Sequence, residues 1–173
     1  MREIKLYKSK NRALKLLFGG GAFVAIGFFI MDKNPFAAWA GILFFGLGII
    51  VGLFHLFDKR PQIIINELGI FDRTTLKDFI NWEIINDAYL IDIYNQKFIC
   101  LVVDKEYKPS NKKNDFYKLA VKLNEKIGAQ ELNIALGQID IDPNDFLQFI
   151  IEMKNAEGNN KTKLILDGIK HYR

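Results

Sequence analysis

The chain has 173 residues, half of them hydrophobic and a quarter charged, with 24 Lys or Arg against 20 Asp or Glu for a net charge of +4. One cysteine and two histidines exclude an intramolecular disulfide framework and leave too few ligands for a structural or catalytic zinc site. The basic surplus does not indicate nucleic acid, because residues 1–58 hold seven basic and three acidic side chains while residues 59–173 hold seventeen of each.

The first fifteen residues are a basic leader with Arg2, Lys5, Lys8, Lys10, Arg12 and Lys15. Two apolar runs follow, Leu16 to Met31 and Phe36 to Phe57, separated only by Asp32, Lys33, Asn34 and Pro35. The second run is about 33 Å long as a helix, enough to cross a hydrocarbon core of roughly 30 Å. The first reaches that length when Ala13 and Leu14 are counted and Lys15 snorkels to the headgroups. A cleaved signal peptide is the competing reading, but Phe28, Phe29, Ile30 and Met31 offer no small-x-small cleavage site and a second span follows at once. The pattern predicts a retained transmembrane hairpin over residues 1–58, with spans at about 13–31 and 36–57. Basic residues flank both outer ends and the turn carries only Lys33, so the positive-inside bias predicts a multi-pass protein of the cell inner membrane with both termini cytoplasmic.

Glycine is frequent within the spans. Gly48 and Gly52 form a G-x-x-x-G step, and with Gly41 they lie along one side of the second span as candidate helix-packing positions, against the first span or a second copy in a homo-oligomer. His55 falls near the cytoplasmic end, where it is expected to face headgroups. Anionic membrane lipid is the expected partner of the basic flank.

Beyond the hairpin, Gln62 to Asn66 reads as a short strand, Glu67-Leu68-Gly69 as a turn, and Ile70-Phe71 as a second strand. Phe79 and Ile80 begin another strand, with Trp82, Ile84 and Ile85 continuing it or turning. Ala88 to Tyr94 and Lys97 to Val103 flank Asn95-Gln96 as a hairpin. Residues 106–114 read as a polar loop, and Phe116, Leu119, Ala120, Leu123 and Ile127 repeat at helical spacing until Gly128. Further on, Ile134 to Leu136 and Ile139 to Ile141 are extended candidates. Asp142-Pro143 starts a helix with its apolar side on Phe146, Phe149, Ile150 and Met153, and Leu164 to Leu166 is expected to add a last strand. These elements predict an α+β membrane protein: an antiparallel sheet closed by a helix over residues 59–128, with an additional strand and helix element at 129–173 that either packs on the same chain, the favoured reading given its short linkers, or pairs with another subunit.

No catalytic constellation emerges. The chain has no P-loop, G-x-S-x-G or dinucleotide fingerprint, no cofactor is implied, and Cys100 sits within an apolar strand as a small hydrophobe. Two surfaces are candidates for binding. Lys105, Lys108, Lys112 and Lys113 surround Tyr107 and suit anionic headgroups. Trp82, Tyr89, Asp92 and Tyr94 combine aromatic and acidic side chains in a composition suited to a protein partner.

Two spans followed by Ile63–Asn66, Leu68-Gly69-Ile70, Ile80-Asn81-Trp82-Glu83-Ile84, the hairpin through Val103 and Phe116–Ile127 resemble uncharacterised bacterial membrane proteins with a pleckstrin-homology-like cytoplasmic domain. The resemblance covers about two thirds of the chain and rests on core and turn residues. It implies that Trp82 packs at the domain edge and that no catalytic residues carry over. Some proteins of this build are encoded beside interbacterial toxins, so the resemblance implies a membrane-resident immunity protein that neutralises a toxin by binding it. A membrane scaffold or accessory subunit, and an anionic-lipid sensor, are the alternatives. The extension at 129–173 departs from the family pattern.

Overall fold

In a computed structural model of the chain, residues 2–74, 78–104, 107 and 132–172 are described. They divide into two compact units, residues 8–60 in one and residues 1–7 with 61–173 in the other.

The first unit is a pair of helices, α1 (Lys10–Ile30) and α2 (Pro35–Phe57). Each start is specified locally. Ser9 Oγ accepts from the Arg12 amide, while Asn34 Oδ1 accepts from the Ala37 amide with Pro35 in the first turn, where its missing N–H costs nothing. Both helices are long and apolar enough to cross a membrane. They meet through Gly20, Gly27 and Gly52: a Cβ on Gly27 would lie 2.7 Å from Ile42 Cγ1, and one on Gly52 would lie 2.9 Å from Leu17 Cδ2. Phe23 and Phe45 stack between the helices at 4.3 Å. Of the three expected packing glycines, Gly52 packs against the first span. A Cβ on Gly41 or Gly48 would meet nothing within 4 Å, so neither sets the closest contact with α1.

The second unit is built on two antiparallel sheets. One has the order β1 (Ile4–Leu6), β2 (Ile63–Ile65), β3 (Gly69–Asp72) and β4 (Ile80–Asn81), and the other β5 (Ile85–Ile93), β6 (Gln96–Val103) and β7 (Leu132–Ala135). A 3-10 turn at Trp82–Ile84 joins β4 to β5. Helix α3 (Pro143–Asn155) packs on β5, and α4 (Asn159–His171) packs on β1. The described part of the extension, 132–172, therefore folds on its own chain. Its segment Leu164–Leu166 is helical rather than extended, and Ile139 and Ile141 lie in the turn ahead of α3. The helix expected over 116–127 lies outside the described residues.

The strand Ile4–Leu6 precedes the first long helix in sequence, yet pairs with β2 in the register Ile4–Ile65, Lys5–Ile64 and Leu6–Ile63. Ile4 and Leu6 turn into the core and Lys5 turns out, the period-2 pattern of a half-buried strand. The core joins both sheets and both helices through Ile63, Ile70, Trp82, Ile99, Phe146 and Ile165, all at most 1% exposed.

Two buried polar groups fix the connections. Asn66 folds its Oδ1 onto the amides of Leu68 and Gly69, and its carbonyl accepts from Trp82 Nε1 at 2.9 Å. Trp82 is thus a core residue that braces the β2–β3 turn, rather than an edge residue open to a partner. Asp72 links the sheets: Oδ1 accepts from Gln62 Nε2 and the Thr74 amide, and Oδ2 accepts from the Ala135 amide of β7 at 3.0 Å.

Gly69 permits the close passage of β3 beside β4, since a Cβ there would lie 2.8 Å from the Ile80 carbonyl carbon. Backbone cannot yield as a flexible side chain can. Gly69→Ala is expected to destabilise the domain by more than about 2 kcal/mol, read as a lowered denaturant midpoint with Trp82 fluorescence shifting to the red. An unchanged midpoint would show that β3 and β4 have room to part.

Candidate functional site

The β5–β6 hairpin turns one residue earlier than the sequence suggests. Ile93 pairs with Gln96, so Tyr94 and Asn95 form the two-residue loop, and both have positive φ, 51° and 64°. That geometry matches the type I′ turn, whose twist suits paired strands and whose usual residues are Asn, Asp and Gly. Asn95 fits the left-handed region. Tyr94 does not, and its side chain is 99% exposed, so no packing compensates the backbone strain.

Of the four residues considered for a partner surface, three lie on this hairpin but do not form one patch. Asp92 is exposed and opposite Lys97, while Tyr89 is half-buried opposite Cys100 and points to the other face by strand alternation. Trp82 is in the core. Only Asp92 and Tyr94 are fully open to a partner. Cys100 is buried in β6. Lys105, Lys108, Lys112 and Lys113 lie outside the described residues. Among the described residues, no three His, Cys, Asp or Glu side chains converge for a metal ion.

Two regions were not anticipated. At the base of the helical hairpin, Arg60 grips the Asp58 carboxylate with Nε at 2.7 Å and Nη2 at 3.1 Å, and the Lys8 ammonium lies 3.7 Å from the same carboxylate. Lys8 also donates to Nδ1 of His55 at 3.1 Å, which places the ring proton on Nε2 in this contact. His55 thus belongs to a polar cluster at the helix ends. The Arg60 guanidinium and amide, with Lys8 adding its charge, hold the Asp58 carboxyl far below the usual carboxylate range. Spacing alone does not reveal this cluster, since Lys8 and His55 are 47 residues apart.

The second is a groove of 770 Å³ along α3 and α4, lined by Phe149 and Tyr172, by Asp145, Glu152 and Asp167, and by Lys170 and His171. Gly168 permits the helix to approach, because a Cβ there would press on Ile4 and on the Phe149 ring. The Tyr172 ring stands edge-on to both Phe146 and Phe149. Burial first, and then the charges of Asp145, Glu152 and Asp142, push the Tyr172 phenol up to about 12 from 10.0.

The neutral phenol is therefore favoured in the folded state. Its contribution to stability is fully present below pH 10 and is lost as pH rises towards the raised value. Phenolate absorbance titration of the chain, minus that of Tyr172→Phe, should show a midpoint close to 12, and Tyr172→Phe should flatten the alkaline loss of stability. A difference midpoint at 10 would mean that neither burial nor the carboxylates act on this phenol.

Compared with protein-family models, curated proteins and solved structures, the chain matches none, so its physical surfaces carry the functional argument.

Proposed function

We propose that the protein is anchored in the cytoplasmic membrane by its helical hairpin and displays a pleckstrin-homology-like domain on the inner face, where it binds a protein partner without catalysis. The observation that carries the anchoring is the outward direction of the apolar side chains. Phe18, Phe29, Phe36, Phe44 and Phe57 are each more than 70% exposed on helices whose contact with each other uses chiefly glycines and alanines. Such a continuous apolar exterior suits lipid and is foreign to a water-facing surface.

Strand pairing supports the topology. Because β1 and β2 are hydrogen-bonded neighbours, the chain that leaves Leu6 must return to Ile63 on the same side of the bilayer. An even number of crossings satisfies this, and Asn34-Pro35 supplies the tight reversal between the two helices. The surplus of basic residues on the outer flanks favours the cytoplasmic side for both ends. Sheets of four and three strands closed by α3 support the pleckstrin-homology-like reading.

Partner binding rests on Tyr94, a large side chain held in a strained turn with no packing role among the described residues. A position that sacrifices local stability and gains nothing internally is a candidate for selection by an external contact. A bacterial toxin acting at or across the membrane is the partner class we favour, and neutralisation by sequestration is the mechanism. A scaffold or accessory subunit is distinguished by stoichiometric co-purification with another integral membrane protein.

The chain should remain with membranes after alkaline washing, and protease added outside intact spheroplasts should leave the domain at 61–173 whole. Release by alkali, or external trimming of that domain, would overturn the anchoring. For the partner, Tyr94→Asn should stabilise the fold by about 1 kcal/mol through relief of left-handed strain while reducing recovery of the bound protein from solubilised membranes. Unchanged recovery would remove the hairpin tip from the binding surface.

A further inference from the structure

We infer that the outer groove of the helical hairpin is a binding site for one anionic phospholipid, with an acyl chain lying along the groove and the phosphate seated on Lys15. The inference rests on the membrane-spanning reading proposed above. The groove has a volume of 540 Å³ and is lined by Lys15, Gly19 and Phe23 of α1 and by Phe44, Gly48 and Val51 of α2, among others.

Its shape follows from which glycines face where. Gly20 belongs to the helix contact, since a Cβ there would lie 3.1 Å from Ile49 Cγ1 and 3.3 Å from the Phe45 carbonyl oxygen. Gly19 and Gly48 line the groove, and a Cβ on either would meet nothing within 4 Å. Removing two side chains beside the stacked Phe23 and Phe45 rings leaves a furrow rather than a ridge. From Lys15 to Phe23 it runs about 12 Å along the helix, parallel to the direction in which lipid chains lie.

Charge selects the occupant. Lys15 is the one charged residue lining the groove, and the ion pairs among the described residues do not involve it. Neither helix contains an acidic residue to neutralise it. A second copy docking here about a two-fold axis along the membrane normal would set Lys15 against Lys15, an unfavourable like-charge meeting in a medium that screens poorly. The groove instead calls for an apolar body with one negative charge at its end. An anionic phospholipid has that form, and an amine close to the headgroups attracts it.

The intact chain can be reconstituted in nanodiscs of phosphatidylcholine with and without phosphatidylglycerol, then released and weighed by native mass spectrometry. One phosphatidylglycerol should remain on each monomer, with phosphatidylcholine retained at least about tenfold less. Gly48→Leu fills the groove where there is space and improves helix propensity, so it should fold normally yet lose the lipid. Lys15→Ala should lose it as well, and Lys33→Ala in the turn should keep it. Equal retention of both lipids, retention unaltered in Gly48→Leu, or a dimer that forms without phosphatidylglycerol and is abolished by Gly48→Leu would each overturn the site. A chain that never enters the nanodisc overturns the membrane reading and the site together, whereas an embedded chain without bound phosphatidylglycerol overturns the site alone.

Discussion

The pairing of Ile4–Leu6 with Ile63–Ile65 is the constraint on which the rest of the fold depends. It joins a strand lying before two long apolar helices to a strand lying after them, and the Gln62 amide extends the ladder by donating to the Leu6 carbonyl at 2.7 Å. Closing so long a loop costs entropy that three residue pairs cannot easily offset. Helices α1 and α2 occupy most of that loop, so most of its residues are ordered by pairing with each other rather than left as free chain. Within that pair, Gly20, Gly27 and Gly52 permit the close approach.

Once β1 is in place, it becomes a floor for the C-terminal helix. Ile4 reaches the site where Gly168 has no side chain, and Phe149 of α3 meets the same spot. The first strand and the last helix of the chain thus share one contact, which explains why the extension beyond residue 129 packs in cis. The buried Asp72 carboxylate serves a comparable purpose between sheets. Three donors from separate segments converge on it, so the charge is compensated by hydrogen bonds rather than left to penalise burial.

Large-scale order was legible in the sequence because it depends on long or chemically distinct patterns. Two apolar runs with a proline turn became α1 and α2, and Asp142-Pro143 marked the start of α3, where the carboxylate accepts from the Asn144 and Asp145 amides. What escaped was short or nonlocal. The alternation in Ile4-Lys5-Leu6 is three residues long and hidden in a basic leader. The run Leu164-Ile165-Leu166 resembles a strand by composition, but the wider spacing of Leu164, Ile165, Gly168 and Ile169 puts the apolar face on a helix. Among the candidate site residues, Tyr94 and Asp92 were found in the open, whereas Trp82 was misplaced because its indole N–H has a buried acceptor, Asn66, that only the folded turn supplies.

The charged base of the hairpin shows how such a nonlocal arrangement resolves a local conflict. Asp58 follows the C-terminus of α2, where the helix dipole opposes a negative charge, and its side chain is only 4% exposed. Alone, the carboxylate would be driven towards protonation. Arg60 turns back with a two-point grip, and Lys8, arriving from the start of the other helix, adds a second positive charge while satisfying His55. The anion disfavoured by the dipole thus becomes the point on which both ends of the hairpin are tied. An interaction that looks superfluous in either helix alone ties the start of one helix to the end of the other.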